Sequence, residues 1–505
     1  MRQHQPFFAC LTLLSLLSLA LSSPCLANWR ENTGFLALLN EAGGSAPDGK
    51  GIPVCLAESP VRVNEIPTWM PAPSTEAFKD KTIRDMSGAP RGVYSSHATA
   101  VGRLFFGKGT SMASGVDDID VFVMGHWVQG GGLRVGSAQP PAVHECRVAN
   151  HSWVGSGLKT PQQTSELLRR LDWWIDQDEY LHTVGLANST GAAPVLLASA
   201  FNVISVGRSD GKHSRHSSAL DALYTEGRMR PDLVAPLTST SAAAPVVAGA
   251  IALLLETAQA HPELSTDPQN TGMTTRAWVA VSNAGRAESI RAVLLAGADR
   301  RTYNRNSANI VDYRQNEENQ SVNGLDTRYG AGQLNIRRSY RILMAGEQNS
   351  REDGGTDAVQ NQGFDYDPAF GGQSGSNAQA SYIVPAAEGE RRLTVALIWH
   401  LAFKAEKGTP FPGIATLYDL NLELEDLETG EIAARSASSK ENSEHLWHRL
   451  KPGHRYTFRV RLGAAQKPGF LHDYAVAWNI DAERKNTEEP AGKQPQQKML
   501  PAAAE

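Results

Sequence analysis

The sequence has little excess of positive or negative charge and few long apolar segments. Its 505 residues carry 48 basic and 53 acidic side chains, which gives a formal net charge of -5. No run of about five or more like charges occurs, which excludes a polybasic patch for nucleic acid or membranes and an acidic interaction tail. A hydrophobic content of 41% with a mean hydropathy of -0.33 excludes a disordered chain and a polytopic membrane protein. The composition therefore predicts a soluble globular protein of roughly two to four domains, with no nucleic acid partner.

The N-terminal apolar run is too short to cross a bilayer. It covers residues 6–21 and follows a single charge at Arg2, whereas a spanning helix needs roughly 20 apolar residues. Small residues of the kind that a signal peptidase requires precede Asn28. We therefore expect residues 1–27 to be a signal peptide. The mature protein would be secreted or periplasmic, without stable membrane insertion after cleavage.

Cysteine is also scarce. Two of the four cysteines, Cys10 and Cys25, lie in the predicted signal peptide, which leaves Cys55 and Cys146. In an oxidising compartment these two can pair, or they can remain buried thiols. The sequence leaves both possibilities open, because pairing depends on a Cα separation that sequence does not supply.

The remaining chain has two regions with different hydrophobic periods. From 28 to 350, short β-branched runs alternate with apolar helical runs, a pattern typical of an α/β domain with a parallel sheet between helices. Residues 351–377 are rich in Gly, Asn, Gln, Ser and Asp and are predicted to be a linker. From 378 to 482 the period is two, which predicts an antiparallel β-sandwich, and the Pro- and Gln-rich residues 483–505 are expected to be disordered.

Three serines lie in strings that are typical of catalytic nucleophiles, and their context separates them. Ser241 precedes an unbroken apolar run to Leu255, which predicts a buried helix whose N-terminus stabilises a developing oxyanion. Ser111 is followed by acidic residues and a strand-like run instead of a helix. Ser209 lies in a G-x-S-x-G string, but a polar, basic segment follows where a hydrolase elbow needs an apolar helix. We therefore predict Ser241 as the nucleophile, with Ser111 and Ser209 as the alternatives. If they are not catalytic, Ser111 and Ser209 are expected in surface turns.

A serine nucleophile needs a general base, and His97 is the best candidate. It lies among small residues that lead into Leu104 and two phenylalanines, a pattern that predicts the start of a helix packed on the sheet. A positioned imidazole of this kind takes the serine proton, provided that a third group orients it.

These residues lie in motifs that resemble those of the subtilisin-like serine proteases, the subtilase family. The family's motifs H-G-T-H-V-A-G, V-I-N-x-S-x-G, A-G-N, K-P-D-[IL]-x-A-P and G-T-S-M-A-x-P-x-V-A-G are matched in part, in the family's order, by residues 97–102, 148–155, 186–191, 230–236 and 239–249. Residues 326–335 resemble the element that closes the family's catalytic domain. Residues 393–399 and 418–422 resemble strands of the jelly-roll domain that follows some bacterial subtilases.

The resemblance implies the remaining site residues. Asn188 would stabilise the oxyanion, and a substrate wall that pairs with an extended peptide would consist of Ser152, Trp153, Val154 and Gly155. Where the family has Asp at the end of its first strand, this chain has Glu58, and Ser-His-Glu triads show that either carboxylate can orient the imidazole.

Asp80 and Asp85 are rivals to Glu58. They lie in a polar stretch among lysines and arginines, which is typical of a solvated surface. A further departure from the family is Ser239, which stands where the family has glycine.

The sequence therefore predicts a secreted serine endopeptidase that acts on proteins or peptides through an acyl-enzyme intermediate. The alternatives are a catalytically inactive subtilase fold that binds proteins, and an esterase that uses Ser209. No cofactor is expected. No H-E-x-x-H motif or cysteine cluster predicts a metal site, and the structural calcium known in the family cannot be placed on particular residues.

Overall fold

The structure is a computed structural model that describes residues 25–155, 157–267, 273–300, 316–356, 358–404, 411 and 413–482. Its longer helices are α1 (Cys25–Asn32), α2 (Phe35–Ala42), α3 (Ser96–Phe105), α4 (Met124–Gln129), α5 (Pro161–Asp178), α6 (Thr240–Ala260), α7 (Ala287–Gly297) and α8 (Ile336–Met344). The strands before residue 300 are β1 (Val54–Glu58), β2 (Val61–Val63), β3 (Ile66–Thr68), β4 (Thr82–Asp85), β5 (Asp118–Val123), β6 (Val148–His151), β7 (Leu181–Gly185), β8 (Ile204–Arg208), β9 (Leu233–Ala235), β10 (Met273–Thr274) and β11 (Ala280–Val281).

The α/β region is built on a seven-stranded parallel sheet. Its strand order is β4-β5-β1-β6-β7-β8-β9, and every neighbouring pair is parallel. Strands β1, β6 and β7 are buried at every position, because helices cover both faces of the sheet. The predicted α/β fold class is confirmed. Since the carboxyl ends of parallel strands meet at one edge, residues that follow β1, β6 and β7 lie near one another.

Helix α6 is the central apolar helix of this region. Its composition and length would allow it to cross a membrane, but 83% of its most apolar window is buried inside the protein, so it is a core helix. The helix begins three residues before the predicted Ala243. It does so because Ser239 caps its N-terminus, accepting a hydrogen bond from the Ala242 N–H at 3.2 Å.

The second region is an antiparallel β-sandwich, as predicted. Its strands are β12 (Gln362–Phe370), β13 (Gln379–Val384), β14 (Arg391–Ile398), β15 (Ala402–Lys404), β16 (Ile414–Thr416), β17 (Leu420–Asp426), β18 (Glu431–Ser436), β19 (Ser443–Leu450), β20 (Tyr456–Leu462) and β21 (His472–Ala482). One sheet has the order β12-β21-β14-β19 and the other β13-β20-β17-β18. The alternate residues that gave the period of two, among them Trp399, Phe458 and Trp478, form the core between the sheets.

The segment 351–377 is not a linker throughout, which corrects the prediction from composition. Residues 362–370 form strand β12, which pairs with β21 along the sandwich edge. Composition predicted a loop here because the segment contains aspartates. In the structure, Asp365 is buried and accepts hydrogen bonds from the Ser350 N–H and the Tyr382 hydroxyl. Buried carboxylates with such partners are compatible with a strand.

The sandwich packs directly on the α/β region. Helix α7 contacts strands β12, β14 and β21. Phe364, Ala396, Ile398 and Ala477, from the first sandwich sheet, belong to the same hydrophobic cluster as the core of the parallel sheet. One face of the first sandwich sheet therefore belongs to the core of the α/β region, while the core between the two sandwich sheets is a separate cluster.

Cys55 and Cys146 form a disulfide, which resolves the possibility that the sequence left open. Their Cα atoms are 5.9 Å apart, across a sequence separation of 91 residues. The bridge joins β1 to the residues just before its neighbour β6. Residues 1–24 of the predicted signal peptide and the predicted tail 483–505 lie outside the described residues.

Candidate active site

The carboxylate of Glu58 and the imidazole of His97 are hydrogen-bonded at the carboxyl edge of the sheet. Glu58 is the last residue of β1, and His97 lies in the first turn of α3, whose N-terminus is capped by Ser95. Glu58 Oε2 lies 2.7 Å from His97 Nδ1. Glu58 is completely buried, whereas the His97 side chain is 40% exposed. Since Nδ1 is occupied by the carboxylate, Nε2 is the nitrogen available to a substrate or nucleophile.

The environment shifts the pKa of both groups. Burial raises the pKa of Glu58, against the opposing effect of its hydrogen bond and charge interaction with His97. Burial by itself lowers the pKa of His97, but the hydrogen bond and the charge of Glu58 outweigh it and raise the net pKa above its ordinary value. The pair therefore stabilises an imidazolium, the form that a general base takes after it accepts a proton.

Ser241 lies in the first turn of α6, and α6 packs against α3. Its side chain is half-buried. Among the described residues, the Ser241 hydroxyl takes part in no hydrogen bond. The structure thus joins Glu58 to His97 and places Ser241 at the start of the helix packed against α3, without a hydrogen bond between Ser241 and His97. Catalytic hydrogen bonds of this kind are often long in free enzymes and tighten when substrate binds.

A chain of hydrogen bonds that the sequence did not predict holds the backbone of Ser241. Pro245 has no N–H to donate to the carbonyl four residues earlier, so the Ser241 carbonyl lacks its helical partner. The Ser152 hydroxyl donates to that carbonyl at 3.1 Å. Asn150 Nδ2 donates to Ser152 Oγ at 2.9 Å, and Thr183 Oγ1 donates to Asn150 Oδ1 at 3.1 Å. The spacing between Ser241 and Pro245 was the sequence signal that an outside donor is needed.

Asn188 is fixed to the same helix start. Its Oδ1 accepts a hydrogen bond from the Thr240 N–H at 2.9 Å, so its amide nitrogen remains the donor available to another group. The residue is exposed, as a donor to a substrate must be. The end of β7 approaches this turn closely, because a Cβ added to Gly185 would lie 3.2 Å from the Thr240 carbonyl oxygen. The sheet and the helix thus hold Asn188 and Ser241 in neighbouring positions.

The predicted substrate wall divides into internal and exposed members. The Ser152 hydroxyl is engaged with the Ser241 carbonyl, and the Trp153 ring is buried in an edge-to-face contact with His151, with 5.9 Å between ring centroids. Val154 is 54% exposed. The Gly155 carbonyl accepts the Leu196 N–H at 3.1 Å. Val154 is therefore the apolar side chain that this segment presents to solvent.

The alternative nucleophiles are not in surface turns, contrary to prediction. Ser111 is 4% and Ser209 is 2% exposed, and the Ser209 hydroxyl donates to Gln333 Oε1 at 2.7 Å. Tertiary packing covers the polar segments around both serines. Neither alternative serine begins a helix.

The rival acids lie away from His97. Asp80 is exposed and pairs with Lys108 at 3.4 Å. Asp85 accepts a hydrogen bond from the Ser87 N–H at 3.0 Å, inside its own turn. Glu58 is the acid that contacts the imidazole.

A family model provides the first comparison with known proteins. Residues 133–332 match the model described as the Subtilase family. The match includes Asn188, Ser241 and the predicted substrate wall, and it begins after Glu58 and His97. No curated protein sequence is significantly similar to this chain.

Several solved structures align with part of this chain. The Clostridium perfringens CspB protease is 12% identical with a TM-score of 0.37, and the alignment covers 63% of this chain and 99% of that one. A protease of Pseudoalteromonas arctica is 14% identical with a TM-score of 0.36, covering 63% and 97% of the two chains. A lanthipeptide protease is 14% identical with a TM-score of 0.36, covering 62% and 96%.

These structural similarities are too distant to assign chemistry. The matched family model and the seven-stranded parallel sheet agree with each other and with the motifs in the sequence. Residues 133–332 therefore belong to a Subtilase-family domain, whose parallel sheet also includes β1, β4 and β5 before residue 133, and a C-terminal β-sandwich follows.

Proposed function

We propose that this protein is a secreted serine endopeptidase with a Ser-His-Glu triad of Ser241, His97 and Glu58. The observation that carries the proposal is the 2.7 Å hydrogen bond between the buried Glu58 carboxylate and His97 Nδ1. A buried carboxylate is costly unless it is paired. The partner of Glu58, His97, is partly exposed at the sheet edge, so its imidazole can reach a substrate as a general base. Export is proposed from the predicted signal peptide and agrees with the disulfide.

In the proposed reaction, His97 Nε2 takes the proton of the Ser241 hydroxyl as Ser241 Oγ attacks the scissile carbonyl. Glu58 keeps the imidazole in the tautomer with its proton on Nδ1 and stabilises the imidazolium that forms. The negative oxygen of the tetrahedral intermediate would receive hydrogen bonds from the Asn188 amide and the Ser241 N–H. The imidazolium then protonates the leaving amine, and water hydrolyses the acyl-enzyme by the same steps.

The hydrogen-bond chain from Ser152 to the Ser241 carbonyl supports this assignment. It fixes the peptide unit that follows the nucleophile, and catalysis is sensitive to errors of about 1 Å in such positions. The substrates would be proteins or peptides that lie extended along residues 152–155, with the exposed Val154 favouring an apolar side chain. The residues proposed for the reaction require no cofactor.

Labelling with a fluorophosphonate, followed by peptide mass mapping, tests the proposal. The reagent traps a serine only when a base activates it, so we expect one adduct, on Ser241. The Ser241→Ala and His97→Ala variants should not be labelled, and the Ser111→Ala variant should be labelled like the wild type.

Each other outcome overturns the assignment. An adduct on Ser111 or Ser209 would move the nucleophile, and Ser209 labelling would indicate an esterase. A folded chain that resists labelling and leaves a denatured protein substrate uncut would be a binding protein with a subtilase fold.

A further inference from the structure

A buried group of three potential metal ligands lies at the contact between the α/β region and the sandwich. Asp176 is near the end of α5, Glu288 is the second residue of α7, and His400 follows strand β14. His400 Nδ1 lies 2.7 Å from Glu288 Oε1 and 3.6 Å from Asp176 Oδ1. One candidate ligand atom from each of the three residues lies within 4.8 Å of the other two. The group is remote in sequence from the proposed triad and takes no part in its chemistry.

The ligand atoms lack ordinary hydrogen-bond partners. His400 and Glu288 are almost completely buried, with side-chain exposures of 1% and 2%. In the described part of the chain, neither ring nitrogen of His400 has a partner in hydrogen-bond geometry, and Glu288 Oε2 has none. Zinc binding would require the separation of His400 Nδ1 and Glu288 Oε1 to widen from 2.7 Å to about 3.3 Å, the spacing of two ligands on a tetrahedral ion.

The charges in this group do not balance. Among the described residues, Asp176 and Glu288 form no ion pair with lysine or arginine, and His400 is the cationic partner that both carboxylates share. Nearby, Arg286 is paired with Glu179 at 2.8 Å and also interacts electrostatically with Glu288. Arg286 and His400 together therefore face three carboxylates, which leaves a net negative charge in a mostly buried site, where an uncompensated charge is costly.

Hydrogen bonds from neighbouring residues also hold the candidate ligands in position. His472 Nε2 donates to the His400 carbonyl at 2.8 Å, and the next residue, Leu401, donates its N–H to Asn202 Oδ1 at 3.3 Å. The second oxygen of Asp176 accepts a hydrogen bond from Gln177 at 2.8 Å, which leaves Oδ1 directed to His400. Outer hydrogen bonds of this kind orient the ligands of metal sites.

We propose that Asp176, Glu288 and His400 bind one Zn²⁺ ion that links the catalytic region to the sandwich. One imidazole nitrogen and two carboxylate oxygens form a donor set that suits zinc, whereas Ca²⁺ takes six to eight oxygen ligands. Water or Glu288 Oε2 would complete the coordination, and the partly exposed Asp176 provides an entry path. Because the ion would be held by α5, α7 and the segment after β14, its effect would be on the attachment of the sandwich.

Calorimetric titration of the chelator-treated full chain with ZnCl2 tests the site. We expect one Zn²⁺ per chain, no displacement of that ion by CaCl2, and a rise in melting temperature with zinc. Glu288→Gln and His400→Gln should weaken binding by more than about a hundredfold, since loss of an outer-shell partner alone costs 10–100-fold. His126→Gln, which removes an exposed histidine, is the matched control and should bind zinc like the wild type.

The isosteric Glu288→Gln variant separates a lost site from misfolding. If it keeps its circular dichroism and its labelling at the proposed nucleophile but no longer melts at a higher temperature with zinc, the site is supported. A wild-type chain that takes up no zinc would show that His400 and Glu288 form an ion pair only, and would overturn the proposal. Zinc uptake that survives both substitutions would place the ion elsewhere and would equally overturn it.

Discussion

Loss of the Cys55–Cys146 disulfide should lower the free energy of unfolding by about 4.5 kcal/mol. The bridge closes a loop with a sequence separation of 91 residues. In the chain-entropy model, a closed loop of about 90 residues removes an unfolded-state entropy equivalent to about 4.5 kcal/mol at 25 °C. The folded state should change little, because residues 54–57 of β1 pair in register with β6 irrespective of the bridge. The effect should therefore arise mainly in the unfolded chain.

Guanidinium unfolding, followed by tryptophan fluorescence, measures this difference. The Cys55→Ala/Cys146→Ala variant and the wild type would be compared as chains that begin at Asn28, both carrying Ser241→Ala to prevent self-digestion. The wild type with reductant should behave like the variant. This arm retains both sulfur atoms, so it separates the loss of the covalent link from the loss of buried volume.

Two results would refute this reasoning. The first is an unfolding midpoint that neither reductant nor the double substitution changes. The second is the titration of two free thiols after denaturation of the wild type without reductant, because a chain that begins at Asn28 has these two cysteines alone.

Three further predictions concern the proposed site, and a fourth concerns the buried His151. Glu58→Gln removes the negative charge that helps to raise the pKa of His97, keeps a hydrogen-bond acceptor, and leaves the burial that lowers that pKa. We therefore expect kcat/KM to fall by about a thousandfold or more and the acid limb of its pH profile to move to lower pH; an unmoved limb would contradict the coupling. Asn188→Ala should reduce kcat by about a hundredfold or more with little change in KM, and a change confined to KM would argue against an oxyanion role. Ser152→Ala leaves the Ser241 carbonyl without its hydrogen-bond donor. We expect kcat to fall, with a smaller change in KM and an unchanged pH profile. An unaltered kcat would show that this hydrogen bond does not position the nucleophile. Burial lowers the pKa of His151 to about 3. Below about pH 6.5 His151 should therefore bind a proton in the unfolded chain but remain neutral in the folded chain. Stability should then fall between pH 6.5 and 3 by up to about 4–5 kcal/mol, measured as denaturation midpoints, and His151→Gln should reduce that fall; midpoints independent of pH would refute it.

Much of the geometry of the candidate site could be predicted, because each motif combines a chemical group with a local structural signal. The apolar run after Ser241 identified a buried helix, and the structure places that serine in the first turn of α6. The small residues around His97 likewise preceded helix α3. Ser239 seemed a departure from the family pattern, but in the structure its hydroxyl supplies the helix cap. Local signals of this kind depend on neighbours within a few residues, which a sequence records directly.

Burial was predicted less well where polar residues depend on distant partners. Ser209 was expected in a surface turn but is buried, with its hydroxyl bonded to Gln333. Ser111 is buried as well, although its hydroxyl has no hydrogen-bond partner among the described residues. Strand β12 was expected in a linker, because its aspartates meet their partners only in the folded sandwich. Composition describes the polarity of a segment, whereas burial depends on whether other segments can supply its hydrogen bonds.

The sequence by itself determined the order of sheet and sandwich, the helix that carries Ser241, and the candidates for base and acid. Hydrophobic period and capping residues act over one or two turns, so they can be read without knowing what packs against them. Tertiary structure alone decided that Cys55 meets Cys146, that Ser152 supports the Ser241 carbonyl, and that His400 lies against Glu288. Each of these contacts joins residues about ninety or more positions apart, and a hydrophobic pattern specifies which face is buried without specifying which distant segment covers it.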